Sequence, residues 1–323
     1  WLDLSLLDGS EERACAALSA APYLSRRLAA RIYCTARAGD WDTAALTYHG
    51  ATATDGLNDA DATLLALFLD PGMIEDIEPP APPAQITPLQ FRLFEAIGAP
   101  LSTRNLPRAF AMADLRGTAG WKAELEAAER LARTGALPGA QLLGLYTARK
   151  PAASGGVWDR VAAVQRLDNA LSNGDPTVVA QAIPAAWQAA RAVRLETIFA
   201  ELFSERLLKI DLPPEVQAQA FDIALLSSLY ETAAQTLTPT NALQRFAAGL
   251  ARGTPSEAEA TRPVEQAVAR GFARVAPAPA HQVLIEEGRL GEAILLAARE
   301  LDSNAGSGRE TLSAALGTLR AVG

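Results

Sequence analysis

Lysine, histidine and aromatic residues are scarce in this sequence. Its 323 residues include 26 arginines but only three lysines and two histidines, and aromatic side chains make up 6% of the chain. Alanine is abundant instead, with 68 residues. Few β-branched and aromatic residues argue against sandwiches and barrels. A hydrophobic content of 49% with a mean hydropathy of +0.07 argues against disorder. We therefore expect an all-α globular protein.

Concentrated charge and long apolar runs are also missing. The formal net charge is −8, from 37 acidic and 29 basic residues, and no five like charges follow one another. Nucleic acids and anionic membrane surfaces bind concentrated basic patches, so we expect neither as a partner. No apolar stretch approaches the roughly 20 residues that span a bilayer, so we predict no membrane span.

Start and stop signals of helices divide the chain. Thr87-Pro88-Leu89-Gln90 has the spacing of a capping box, with proline at the first helical position. The proline-rich segment 79–83 before it cannot be helical and is expected to be an extended connector. These signals predict an N-terminal helical subdomain at 1–76, a connector at 77–88 and a helical-hairpin domain at 89–323.

One local pattern recurs along the chain. A small residue ends a helix, an aromatic residue or leucine follows two positions later, and alanine stands three positions after that. We interpret the pattern as a tight helix-turn-helix, in which the alanine lets two helices approach closely. The pattern occupies segments 39–44, 135–140, 228–233 and 288–293.

Gly39-Asp40-Trp41, with Ala44, Ala45 and Tyr48 after it, resembles the turn and second helix of a tetratricopeptide-type repeat, and segment 287–293 is similar. The resemblance implies an irregular superhelix of stacked antiparallel helical hairpins, a TPR-like α-solenoid. The four segments start 96, 93 and 60 residues apart, whereas that repeat has a constant period of about 34. Superhelices of this kind also resemble non-catalytic portions of bacterial cell-envelope proteins, including the ring domains of soluble lytic transglycosylases.

Cys15 and Cys34 are the only cysteines, and they form a candidate disulfide if the protein is exported. In a helical hairpin that turns at Pro22, Cys15 lies seven residues before the turn and Cys34 twelve after it. The difference amounts to about 7.5 Å along the axis, which strains the limit of about 7 Å between bridged α-carbons. A lopsided turn could absorb it. The alternative is two small, buried apolar side chains.

Residues typical of catalysis form no recognisable constellation. We expect His49 and His281 to be surface or capping residues, and neither has metal-site spacing to a cysteine. The sequence has no nucleophile elbow and no Walker loop, and no carboxylate pair is singled out. We therefore assign no catalytic, cofactor-binding or metal-binding residue and expect a protein that is not an enzyme.

Weaker signals point to ligand contacts. Residues 154–156 precede a helix start, where backbone amides could meet an anion at the positive helix end; a flexible linker is the alternative. Trp121 and Trp158 lie in first turns after glycine-containing loops and are expected to be exposed, whereas Trp41 and Trp187 are expected in the core. The candidate ligand contacts are Trp121, Ser154, Gly155, Gly156, Trp158 and Arg160.

Three functions fit this architecture. The first is a non-enzymatic scaffold or adaptor whose concave surface binds a protein or peptide partner. The others are an accessory helical domain of a cell-wall glycan-acting system and a small-molecule binding protein. The chain starts at Trp1, which predicts that an upstream segment such as a signal peptide was removed. With the candidate disulfide and the cell-envelope resemblance, this favours the periplasm over the cytoplasm. The oligomeric state stays open.

Overall fold

The computed structural model describes residues 2–7, 11–20, 27–72, 78–116, 119–273, 276–303 and 309–322. Throughout these ranges the regular elements are α-helices and short 3-10 turns, with no strand, so the all-α prediction is confirmed. None of the described helices is both long enough and apolar enough to cross a bilayer. The chain forms two compact units, unit 1 (Trp1–Pro138) and unit 2 (Gly139–Gly323).

The helices of unit 1 pack on their neighbours in sequence from α1 to α6, α1 also contacts α6, and α7 packs on α8. Ile32, Leu65, Leu93 and Phe94 are buried in the core that α3, α5 and α6 share. Two 3-10 turns, Thr103–Asn105 and Arg108–Phe110, precede α7. The helices are α1 (Leu2–Ser5), α2 (Glu11–Ala20), α3 (Leu28–Arg37), α4 (Trp41–Ala53), α5 (Asp59–Leu69), α6 (Pro88–Ala96), α7 (Ala111–Asp114) and α8 (Trp121–Ala132).

A disulfide joins Cys15 in α2 to Cys34 in α3, with the α-carbons 5.1 Å apart. Cys15 lies five residues before the end of α2 at Ala20, and Cys34 lies six residues after the start of α3 at Leu28. The cysteines therefore stand at nearly the same height in the helix pair. The mismatch expected from the sequence was counted from Pro22, which lies outside the described residues.

The proline-rich segment runs within unit 1. It leads into α6, where the Thr87 side chain accepts the Gln90 N–H and the Gln90 side chain accepts the Thr87 N–H, so the capping box is confirmed. Because α6 contributes Leu93 and Phe94 to a core that begins with α3, the connector joins two parts of one unit. The two compact units divide after Pro138.

The helices of unit 2 pack in sequence from α9 to α15, and the last four form a group in which α19 contacts α16, α17 and α18. Phe199, Phe203 and Phe221 are buried. The helices are α9 (Gly139–Thr147), α10 (Val157–Asn173), α11 (Pro176–Arg191), α12 (Glu196–Leu207), α13 (Pro214–Ala224), α14 (Tyr230–Thr236), α15 (Ala242–Ala251), α16 (Pro263–Phe272), α17 (Pro279–Glu286), α18 (Leu290–Ser303) and α19 (Arg309–Val322).

Three of the four recurring segments form the expected helical hairpins, between α3 and α4, α13 and α14, and α17 and α18. Their alanines, Ala44, Ala233 and Ala293, expose no surface. Gly39 and Gly288 have φ angles of +93° and +74°, a conformation that glycine adopts without strain and that ends a helix sharply.

The fourth segment behaves differently, because Ala140 is exposed and was wrongly predicted to pack between helices. The close approach occurs one residue earlier. A side chain on Gly139 would lie 3.3 Å from atoms of Ile198 and Leu202 in α12, so a glycine rather than an alanine lets α9 pack closely there.

Glu265 holds the start of α16. Its carboxylate accepts the backbone N–H groups of Thr261 and Arg262, each at 2.8 Å, and is itself buried. These bonds, chiefly the backbone bond from Arg262, lower the pKa of Glu265 to about 2. The charged carboxylate therefore stabilises the fold fully at pH values above its ordinary pKa of 4.5, and this stabilisation is lost as the pH falls through about 2.

We predict that Glu265→Gln is less stable than the wild type at pH 7 and loses less stability on acidification from about 4.5 to about 2. The reason is that, in this pH range, unfolding of the wild type alone is accompanied by proton uptake at this carboxylate. Urea unfolding followed by circular dichroism across this pH range measures the difference. Glu286→Gln, at an exposed glutamate of the same unit, is the control. Parallel pH profiles of Glu265→Gln and the wild type would contradict the prediction.

We also predict that removing the disulfide with Cys15→Ala and Cys34→Ala lowers the free energy of unfolding by about 3 kcal/mol, since the bond closes a loop with a sequence separation of 19. Denaturant unfolding measures the loss. Dithiothreitol should destabilise the wild type by a similar amount and leave the double variant unchanged. A wild type that is insensitive to the reductant would show that the bond contributes nothing.

Candidate functional site

An open groove of about 500 Å³ lies on unit 2 among α11, α12, α13 and α15. Its apolar lining comes from Trp187 on α11, Leu226 after α13 and Leu243 on α15. Leu226 and Leu243 are 45% and 49% exposed, whereas Trp187 is buried. We call this surface the unit 2 groove. Its volume falls within the range of about 300 to 1,000 Å³ that is usual for ligand sites.

Contacts behind the lining hold the groove in shape. The Trp187 ring packs on Phe199, with ring centroids 5.4 Å apart. On the other side, the buried Gln244 donates its side-chain N–H groups to the Ala218 carbonyl and to Asp222 Oδ1, both at 2.9 Å. These bonds fix α15 on α13. The groove is therefore preformed, which reduces the entropy that binding would cost.

Charged side chains surround the apolar lining. Arg191, Glu196 and Asp222 line the groove, and Arg191 and Asp222 are exposed. Among the described residues, neither Arg191 nor Glu196 has an ion-pair partner. An apolar strip with both signs of charge beside it can bind an apolar side chain of a ligand and orient the neighbouring charges.

The sequence singled out none of these groove residues except Trp187, which it placed in the core. The signal was present in α15, where Gln244, Phe246 and Ala248 are buried and Leu243 falls on the opposite face. A single leucine outside the buried face of an amphipathic helix is common at protein surfaces. It indicates a binding surface only when the residues around it in the folded structure are apolar as well.

The predicted anion site at residues 154–156 lies elsewhere on unit 2, and all three residues are exposed. The Gly155 N–H donates to Asp159 Oδ1 at 2.9 Å, so a carboxylate of the chain itself takes an amide that was expected to face an anion. Arg160 lines a separate small apolar pocket with Tyr146 and Phe203. These residues therefore do not join the unit 2 groove.

The tryptophans occupy several environments. Trp121 begins α8 in unit 1 and Trp158 lies in α10 of unit 2, and both are half-buried, which is less exposed than expected. Trp187 is buried as expected. Trp41, however, is 46% exposed, so its placement in the core was wrong. It begins α4, and its ring contacts the Phe68 ring in a tilted arrangement, with centroids 5.4 Å apart. The rest of the Trp41 side chain stays at the surface.

His49 is exposed as expected, but His281 is fully buried, so its prediction as a surface or capping residue was wrong. Its Nδ1 lies 2.8 Å from Thr318 Oγ1. The Thr318 hydroxyl in turn donates to the Ala314 carbonyl. The Nε2 atom lies 3.4 Å from Glu300 Oε1. The short α17 packs on both α18 and α19, which turns this histidine inward.

A second cavity of about 500 Å³ lies in unit 1 and is lined in part by Glu95 and Asp114. Burial raises the pKa of Asp114, although Thr103 donates a hydrogen bond to it. Glu95 pairs with Arg92 and with Arg116. Both carboxylates thus have partners within the chain, and neither is presented as a free acid or base.

Comparison with protein-family models, with curated proteins and with solved structures finds no match to this chain. Within the described part of the chain, no group of three or more histidine, cysteine, aspartate or glutamate side chains is placed to hold a metal ion. The unit 2 groove is therefore assigned from its own geometry.

We predict that Asp114→Asn stabilises the protein at pH 7. The raised pKa means that the fold disfavours the charged carboxylate, so its neutral isostere removes that penalty. The difference from the wild type should shrink as the pH falls and Asp114 itself becomes protonated. Thermal unfolding at a series of pH values tests this, with the exposed Asp211→Asn as the control. A lower melting temperature for Asp114→Asn at pH 7 would contradict the prediction.

Proposed function

We propose that this protein is a non-enzymatic helical scaffold or adaptor that binds a peptide segment of a partner protein in the unit 2 groove. The observation that carries the proposal is the exposure of Leu226 and Leu243 beside Trp187 in a preformed groove. Contiguous exposed apolar side chains with a polar rim are typical of protein-binding sites, and tryptophan is enriched among residues that dominate binding energy.

The lining indicates the chemistry of the peptide. A bulky aliphatic or aromatic side chain would cover Leu226 and Leu243 and contact the Trp187 ring. A lysine or arginine next to it would meet Glu196 or Asp222, and an acidic residue would meet Arg191. Because both signs of charge are present, the ligand should carry both signs as well, which gives the interaction a preferred direction along the groove.

The wider architecture in this proposal is a divergent TPR-like superhelix of stacked hairpins. The hairpins formed by α3 and α4, α13 and α14, and α17 and α18 support it, since stacked hairpins form extended concave surfaces that bind peptides. The disulfide between Cys15 and Cys34 is consistent with an oxidising compartment, and we propose the periplasm of a bacterium as that compartment.

A displayed library of random peptides, selected on the purified oxidised protein, tests the proposal. We expect enriched peptides to share a bulky apolar residue with charged neighbours. Leu243→Asp should weaken the selected peptides by about tenfold or more, because it places a charge in the apolar lining. Arg191→Glu should weaken peptides that carry an acidic residue more than those that lack one.

Leu46→Asp is the matched control, since Leu46 is a 75% exposed leucine on α4 of unit 1. It should leave peptide affinity unchanged. Peptides that bind Leu243→Asp as tightly as the wild type would remove the groove from the proposal. A selection that enriches no peptide, together with saturable binding of a glycan or a small metabolite, would overturn the proposed function in favour of one of the alternatives.

A further inference from the structure

Helix α18 exposes an apolar face that no described part of the chain covers. Leu290 and Ile294 are 43% and 41% exposed, and Leu295 is 71% exposed. Ala293 and Ala297 are fully buried where α18 packs on α17 and α19; Leu295 lies on the face opposite to them, and Leu290 and Ile294 lie between that face and the buried side. The exposed apolar residues thus form a strip that runs from the edge of the buried side to Leu295, and its own unit covers only the buried side.

Two opposite charges, Glu292 and Arg299, flank this face on one side, and the exposed Asp302 lies on the face two turns after Leu295. Glu292 and Arg299 are seven residues apart, which is close to two helical turns, so they lie on the same flank. Both are exposed. Leu295 stands almost midway between them. Arg299 has no ion-pair partner among the described residues.

We propose that a second copy of this chain docks on the α18 face, with the two α18 helices antiparallel and the twofold axis beside Leu295. In that arrangement Glu292 of each copy lies opposite Arg299 of the other, which gives two symmetric ion pairs around a leucine contact. A parallel arrangement places Glu292 against Glu292 and Arg299 against Arg299. The charges on α18 therefore favour a second copy of the chain as the partner and an antiparallel arrangement of the two helices.

In the monomer, Glu292 already has an ion-pair partner, which it would exchange for Arg299 of the second copy on dimerisation. Glu292 now pairs with Arg289, at 2.6 Å, and Arg289 also pairs with Glu287, at 2.9 Å. When Glu292 turns to Arg299 of the second copy, Arg289 keeps Glu287 as its partner. All of these side chains are exposed, so the exchange requires no buried charge to be left alone.

Small residues beside Leu295 permit close approach. Gly291 and Ala298 are exposed and lie one turn before and one turn after it. A side chain built on Gly291 would meet nothing within 4 Å, so packing within the chain does not require glycine there. A contact along one 14-residue helix is smaller than the roughly 1,200 Å² of a stable interface. We therefore expect a weak, concentration-dependent dimer.

Analytical ultracentrifugation of the full oxidised chain, from micromolar to millimolar concentration, tests the proposal. The wild type should move from monomer to dimer. Leu295→Asp should raise the dissociation constant about tenfold or more. Leu243→Asp, at a comparable exposed leucine in the unit 2 groove, should dimerise like the wild type, so that failure of the peptide site and failure of this interface are separated.

Charge reversal tests the direction of the helices without altering the apolar face. Glu292→Arg and Arg299→Glu should each dimerise less than the wild type, because each variant opposes like charges. Mixing the two variants should restore association as a heterodimer, and the double variant should again form a homodimer. A wild type that stays monomeric, a dimer that persists in Leu295→Asp, or variants that do not complement each other when mixed would each overturn the proposal.

Discussion

Close approach of helices through very small side chains is the constraint on which this structure depends. Ala44, Ala233 and Ala293 are fully buried at the same step of three hairpins, and Gly139 has the same role between α9 and α12. Helix pairs of this kind bury little apolar area per residue, so each contact contributes little free energy. Stability must therefore be spread over many contacts and over the polar groups that end and align the helices.

Buried polar side chains supply the alignment that alanine surfaces lack. Arg92 donates to the carbonyls of Leu6 and Leu7, and so joins the segment after α1 to α6. Gln244 joins α13 to α15, and His281 joins α17 to α19. Smooth alanine faces can slide past each other, whereas a buried polar group is satisfied in only one register. We infer that these residues set which of many similar helix packings is adopted.

Features that depend on residues close in sequence, such as helix caps and turns, were predictable. Features that depend on tertiary contacts, such as the burial of a particular side chain, mostly were not. The Thr87 capping box and the turn at Gly39 follow from residues within one turn of each other, and both were predictable. The burial of His281 depends on Thr318, 37 residues later, and no local pattern marks it. The exposure of Trp41 depends on how much of its ring Phe68 covers. The unit 2 groove gathers residues from four helices, so no sequence window contained it.

Charge distinguishes the unit 2 groove from the exposed face of α18. Reversing the direction of α18 exchanges the positions of Glu292 and Arg299, so that face complements a copy of itself. The unit 2 groove is lined by Glu196, Asp222 and a single arginine, Arg191, which form no such reciprocal pair on one helix. We therefore propose different partners for these two apolar surfaces. The apolar residues contribute most of the binding energy at each surface, and the arrangement of the charges determines which partner is complementary to it.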